Sequence, residues 1–291
     1  MAEQPKAPPA PPRRSAPPPP APPPVAPGGA GGQFHKNFTV SSGVIQRAKR
    51  ILIYGPGGVG KSSLAALAPR PVFGDIEKGT YHLDVARVDD IETWTDLRSF
   101  IQSPVVEQYQ TIVIDTATKA EDWALKHVLE TVKVDNRGEV ATTIESYGWG
   151  RGYQHVYDVF MLLLSDLDRQ VTAGRNVILI AHECTANVPN PSGEDFIRYE
   201  PHLQTNKNGK ASIRNRVFQW ADYVLFVGYD VDVQKDGKGR GAGTRTIWLS
   251  ELPTHMAKGR VEKDRDVSIS RPYTGASDGT VWNEIFNGGA K

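Results

Sequence analysis

Cysteine is nearly absent from this chain, with one residue, Cys184, among 291. A single thiol excludes an internal disulfide and suits a reducing compartment, so the expected location is the cytoplasm. Long apolar runs are missing as well. No stretch approaches the ~20 residues of a membrane span, and the N-terminus has no apolar segment of the secretory kind. No membrane partner is therefore expected. Charge of one sign is also lacking, since 34 Lys and Arg stand against 33 Asp and Glu for a net +1. There is no global field for nucleic acid, and any such binding has to use local patches. No internal repeat of roughly 20 to 50 residues is present, which argues against a solenoid.

What is there falls into unequal parts. Residues 1–33 are Ala-Pro repeats with Arg13 and Arg14 and a glycine-rich end. Such a segment has almost nothing to bury, so a disordered tail with polyproline II character is expected. It reads as a docking arm or as a solubilising tail, and composition does not separate the two. Residues 34–270 are expected to form one α/β domain, followed by a polar tail over 271–291. Val44, Ile45 and Ala48 suggest a short helix at the entry. Strands are expected at Arg50–Tyr54, Pro71–Asp75, within 83–88, at Thr111–Asp115 and at Asn176–Ala181. Helices are expected after Lys61, after an acidic cap at Asp89–Glu92, over Lys119–Lys133, over Gly152–Thr172 and near Ile213–Trp220. Residues 134–151 read as a polar connection. A second, from Glu183 to about Lys210, reads as irregular from its Pro and Gly content. Tyr223–Val227 and Thr244–Leu249 read as a hairpin around a Gly-Lys turn. Alternating strands and helices imply a mainly parallel, twisted sheet with helices on both faces and this C-terminal β-hairpin.

The most specific motif runs through Gly55, Pro56, Gly57, Gly58, Val59, Gly60, Lys61 and Ser62, with Ser63 following. It matches G-x-x-x-x-G-K-[ST] at every fixed position, between an expected strand and helix. Loop amides and the helix N-terminus of such a motif converge on phosphate oxygens. Lys61 is placed to reach the β- and γ-phosphates, and the Ser62 hydroxyl to ligate Mg2+. The bland reading is a glycine-rich turn before a helix, against which the flanks and the Lys-Ser pair argue.

Other candidates lie at strand ends. Asp115 closes an apolar strand downstream of the loop, where P-loop ATPases hold Mg2+ or its water; a turn-capping Asp is the alternative. Glu77 follows the second strand and is a candidate to orient the attacking water or take its proton; a solvated turn residue beside Lys78 is the alternative. No Glu follows Asp115, because Thr116 stands there, and this raises the weight on Glu77. His182 ends the fourth strand at the edge where open α/β sheets bind ligands. It is read as a γ-phosphate sensor or as an edge histidine. Lys258 and Arg260, one residue apart, point the same way on an extended segment. They read as finger residues reaching a neighbouring subunit's phosphate, or as part of an exposed basic run with Lys263 and Arg265. Two loops mix aromatics with cations: Arg137, Trp149 and Arg151 in one, Arg198, Lys207, Lys210 and Arg214 in the other. Such surfaces suit single-stranded nucleic acid, where rings stack on bases and cations track phosphates; ordinary solvated loops are the alternative.

In their order these motifs resemble the RecA superfamily. The carriers are Gly55–Ser62, Phe73–Glu77, Ile112–Asp115 and Ile178–His182, while Lys258-Gly-Arg260 looks like the finger of the KaiC and RadA branch. Tyr147–Tyr153 leading into a long helix is similar to phage nucleotide-binding proteins, including Sak-type single-strand annealing ATPases. The resemblance covers about residues 44–265. It implies a Mg2+-dependent ATPase with ATP bound between subunits of a ring or filament. It further implies single-stranded DNA held by the two loops, annealing or strand pairing in phage recombination, and a single-stranded-DNA-binding protein as partner. Two other readings stay open: a P-loop switch that couples ATP to protein assembly without DNA, and a nucleotide-binding module with little turnover.

Overall fold

The computed structural model describes residues 39–43, 45–134, 141–206, 211–233, 239–259, 270–275 and 277–287. The chain divides into two compact units, Met1–Ile45 and Gln46–Lys291, and the sheets and helices below belong to the second. The expectation for residues 1–33 lies outside the described residues. In chain order the elements are β1 (Arg50–Tyr54), α1 (Lys61–Ala66), β2 (Pro71–Asp75), β3 (Ala86–Val88), α2 (Trp94–Gln102), β4 (Thr111–Asp115) and α3 (Ala117–Thr131). Then come α4 (Arg151–Thr172), β5 (Asn176–Ala181), β6 (Glu183–Val188), β7 (Phe196–Pro201), α5 (Ile213–Trp220), β8 (Tyr223–Val233), β9 (Gly239–Trp248), β10 (Ser270–Pro272) and α6 (Thr280–Asn287).

Eight strands form one sheet in the order β10-β9-β8-β1-β5-β4-β2-β3. All neighbours from β8 to β3 pair in parallel, while β9 and β10 run antiparallel. The fold is α/β, as the alternation of elements implies. The central strands read as unbroken apolar runs because both of their faces are covered. Leu52 and Tyr54 of β1 join the cluster that holds Leu97, Val128, Phe160 and Val217 of α2, α3, α4 and α5. Ile51 and Ile53 join the other cluster, with Leu64 of α1 and Trp282 and Ile285 of α6. Among the described residues no helix is long and apolar enough to cross a membrane.

Four expectations are corrected. Residues 45–49 contain no helix, and Ile45 is exposed. The cap of α2 is Thr93 rather than the acidic run before it. Thr93 Oγ1 accepts from the Asp96 amide at 3.1 Å, and the Asp96 carboxylate accepts from the Thr93 amide at 2.9 Å. That reciprocal pair satisfies two amides that Asp89–Glu92 cannot reach. The segment after His182 is a hairpin, β6 with β7, in register from Glu183–Pro201 to Val188–Phe196. Its Pro and Gly residues gather in the turn, which hides the alternating strands on either side. Last, residues 271–291 are no tail throughout. Strand β10 pairs with β9, and α6 buries Val281, Trp282 and Ile285 against the second cluster.

Trp282 also donates its indole N–H to the Leu64 carbonyl at 2.8 Å, tying α6 to α1. Trp282→Ala is expected to lower stability by about 3–5 kcal/mol in urea unfolding. An unchanged transition midpoint would return this segment to the status of a tail.

Candidate nucleotide site

The parallel register sets the site. Tyr54 lies beside Ala181, Ile180 beside Asp115, and Asp115 beside Asp75. The C-terminal ends of β1, β5, β4 and β2 therefore make one edge. From it emerge, in that order, the glycine loop, His182, Asp115 with Thr116, and Glu77. Ligands of open α/β sheets bind at this edge.

The loop from Gly55 to Gly60 connects β1 to α1, and two of its glycines are obligatory. Gly55 has φ 155°, and a Cβ there would sit 2.0 Å from the Val227 carbonyl oxygen of β8. Gly60, at φ 101°, is the N-cap of α1, and a Cβ would meet the Tyr273 ring at 2.9 Å. Lys61 is buried and donates to the carbonyls of Gly55 (2.9 Å) and Pro56 (2.8 Å). Burial holds its pKa below the ordinary lysine value, opposed by the charges of Asp115, Glu183 and Glu77. The same lysine is thus ready to exchange two neutral carbonyls for phosphate oxygens, which carry more charge.

Ser62 and Asp115 meet directly, Ser62 Oγ donating to Asp115 Oδ2 at 2.5 Å. Burial pushes the Asp115 carboxyl up to about 6. The Ser62 hydrogen bond opposes this, and the charges of Glu77 and Asp75 add to it. A hydroxyl and a carboxylate at this spacing are hard oxygen donors suited to Mg2+. Among the described residues no group of three His, Cys, Asp or Glu side chains makes a metal cage. That fits an ion held by one or two protein oxygens and otherwise by phosphates and water.

Glu77 and His182, read separately in the sequence, are partners. His182 Nε2 lies 3.0 Å from Glu77 Oε1, and Thr116 Oγ1 donates to the same oxygen at 2.6 Å. The turn carrying Glu77 is pinned by the fully buried Asp75, which accepts from the amides of Gly79 (3.0 Å) and Thr80 (2.9 Å). The Glu77 amide itself bonds the Asp115 carbonyl at 3.2 Å. Thr116 is a site residue that sequence reasoning missed as such. It caps α3 through the Lys119 amide while orienting Glu77. Glu183 was missed as well. Its Oε2 is buried without a donor, and burial raises its pKa while the Lys61 charge lowers it.

A C-terminal brace closes the loop from outside. Arg245 Nη1 donates to the Val59 carbonyl at 2.9 Å and stacks over Tyr273, whose hydroxyl donates to the Gly60 carbonyl at 2.9 Å. No local pattern signals these contacts, because the partners are 186 and 213 residues apart.

The remaining candidates are placed differently. Lys258 Nζ donates to the carbonyls of Phe218 (2.9 Å), Gln219 (3.2 Å) and Ala221 (2.6 Å), closing the C-terminal end of α5. Within one protomer it is a helix cap and not a free finger, because unpaired helix carbonyls attract a cation. Arg260, Arg137, Lys207 and Lys210 lie outside the described residues. Arg198 pairs with Glu200 at 2.6 Å and Glu251 at 3.2 Å, and Arg214 pairs with Glu200. Glu200 is buried, and a buried carboxylate requires such partners. Trp149 is 97 % exposed at the turn before α4, and Arg151 is exposed beside it.

The Asp115 environment fixes a sign. A carboxyl raised to about 6 holds its proton below that pH, and Mg2+ has to displace it. Mg2+-dependent nucleotide affinity is expected to fall as pH drops through about 6, with proton release on binding in that range. In Asp115→Asn the pH step should vanish, as read by titration calorimetry in buffers of different ionisation enthalpy. A step that survives the substitution would assign it to another group.

The comparisons with known proteins agree on a P-loop protein. A curated relative, the SPbeta prophage-derived uncharacterized protein YorG of Bacillus subtilis (strain 168), is 22% identical over 221 residues. The alignment covers 74% of this chain and 60% of that protein, so the chain spans only part of its relative's length. Among solved structures, the KaiC-like protein PH0186 of Pyrococcus horikoshii OT3 matches with a TM-score of 0.39 and 14% identity, over 79% of this chain and 88% of that one. The RadB recombinase matches at 0.36 and 12%, over 78% and 87%. A family model described as an AAA domain matches residues 47–261, a span that holds the glycine loop, Glu77, Asp115 and His182 alike, and the chain belongs to that family.

Proposed function

We propose that this protein is a Mg2+-dependent ATPase whose reaction is carried by Lys61, Ser62, Asp115 and Glu77, with His182 as sensor of the γ-phosphate. The observation that carries the reading is the convergence on one sheet edge of the Ser62–Asp115 pair and the Thr116–Glu77–His182 set. Mg2+ held at Ser62 Oγ and Asp115 would neutralise charge on the transferred phosphoryl group. Loop amides and Lys61 bind and orient the phosphates. Both hydrogen bonds to Glu77 fall on Oε1, so Oε2 is left to take a proton from water. When a γ-phosphate draws His182 away from Glu77, the carboxylate loses a donor and becomes the stronger base.

A path from His182 to the two loops supports coupling of ATP state to their order. The His182 amide donates to Thr118 Oγ1, the Thr118 hydroxyl to the His202 carbonyl, and the His202 amide to the His182 carbonyl. Two residues on, the Gln204 side chain bonds the carbonyls of Tyr153 and Ala211, and its amide bonds Glu121, whose carboxyl burial pushes up to about 7. On this reading the loops bind single-stranded DNA, and the output is annealing or strand pairing in phage recombination. The reading adds a single-stranded-DNA-binding protein as partner and a ring or filament in which Lys258 and Arg260 act across subunits. The exposed Trp149 beside Arg151 and the prophage origin printed for the relative support it.

A second reading, an ATP switch for protein assembly without DNA, is favoured by the pairing of Arg198 and Arg214 with Glu200. The two separate on one assay. Annealing of complementary oligonucleotides should be accelerated by the wild type with ATP and weakened several-fold in Trp149→Ala, since base stacking on one ring contributes ~1–3 kcal/mol. A wild type that neither binds single strands nor speeds annealing leaves the assembly switch. For the chemistry, Glu77→Gln should keep ATP binding and lose about 10²–10⁴-fold in turnover. Normal turnover in that variant would take Glu77 out of the mechanism.

A further inference from the structure

A cleft of about 130 Å³ opens between the first turn of α2 and one face of α3, and none of its lining belongs to the glycine loop or to the Glu77–His182 pair. Trp94 lines it from the α2 side. Trp123 lines it from α3, with Lys126, His127 and Glu130 following at one-turn and two-turn spacing on the same face. Glu92 completes the rim.

Two features mark this cleft as built for a ligand. Trp94 is only 3 % exposed and packs on Phe160, yet its indole Nε1–H has no acceptor among the described residues. A buried indole N–H ordinarily finds a partner, and leaving it unpaired is costly. The rim, in turn, presents two carboxylates. Glu130 is engaged only by Lys126 at 3.8 Å, with both side chains mostly exposed, a pair that gives way easily to a better-placed cation. Glu92 makes no ion pair among the described residues. The missing partners are thus a backbone or side-chain acceptor inside an aromatic slot, and a cation at its edge.

We propose that this cleft binds a proline-rich, arginine-bearing segment in the polyproline II conformation. Such a helix makes no internal hydrogen bonds, so its carbonyls are free to accept from Trp94 Nε1. Its flat apolar rings fit between aromatic walls, and its preformed backbone loses little entropy on docking. An adjacent arginine meets Glu92 or Glu130 in a charge-assisted hydrogen bond. The ligand chemistry stands in this chain's own sequence: 13 of its 22 prolines lie in residues 5–27, with Arg13 and Arg14 directly after Pro11-Pro12.

The test uses a fluorescent synthetic peptide of residues 5–24. The protein is the full chain with prolines 8 to 24 replaced by serine, so that only the added peptide carries the motif. Fluorescence polarisation should show saturable binding, weakened about ten-fold or more by Trp94→Phe, which keeps the ring and removes the N–H. Trp123→Ala, on the more exposed wall, should weaken it similarly while leaving the circular dichroism spectrum unchanged. Arg13→Glu with Arg14→Glu in the peptide should weaken binding several-fold. A peptide with every proline changed to alanine should not bind. In the complex the Trp94 indole N–H should exchange more slowly with solvent. Binding equal in Trp94→Phe and Trp123→Ala to the parent, or no binding at millimolar protein, overturns the proposal. Either result leaves the nucleotide site untouched, since no residue is shared.

Discussion

The contact between Ser62 and Asp115 is the constraint on which the site depends. It joins the first residues of α1 to the end of β4, although β5 lies between β1 and β4 in the sheet. The register of three parallel strands has to be right for the hydroxyl and the carboxylate to meet. The same register brings Asp75 beside Asp115, so the turn after β2 lands with Glu77 over Thr116. Parallel pairing is strict here because both faces of each strand are buried, and a slip by one residue would expose an apolar set to solvent.

Charge is concentrated at this edge and balanced unevenly. Lys61 is a single buried cation amid Asp115, Glu77 and Glu183. Burial and like charge lift the Asp115 carboxyl to about 6, a cost that a divalent cation with its phosphates removes. The protein thereby spends folding stability on a pre-shaped acidic pocket that is completed by a Mg2+-nucleotide, which is where perturbed carboxylates tend to gather. The cations farther out behave oppositely. Arg198 and Arg214 are tied to buried Glu200, and Lys258 to the end of α5, so their positive charge is used inside the fold.

Much of the architecture was legible in the residues. The strand runs at Arg50–Tyr54, Pro71–Asp75, Thr111–Asp115 and Asn176–Ala181 match the observed strands, because a buried parallel strand has to be apolar on both faces. What escaped has identifiable physical reasons. The β6–β7 hairpin has one half-open face and a Pro-Gly turn, so its alternation is weak. The helix α6 is a short amphipathic segment whose apolar residues acquire meaning only from the α1 face they cover. The cap of α2 was misplaced by a few residues because acidic residues and threonines both suit such a position, and only geometry chooses between them.

By itself, the sequence determined the phosphate loop, the acidic strand end and the alternating α/β order, since each depends on short-range spacing and on apolar periodicity. Tertiary structure alone decided that Glu77, Thr116 and His182 form one hydrogen-bonded set. It alone showed that Arg245 and Tyr273 brace the loop from the far end of the chain. It also turned three cations that look like ligand contacts into internal partners of a buried carboxylate and a helix end. Hydrogen bonds and ion pairs act over a few ångströms of space, and chain order does not encode which distant residues come within that reach.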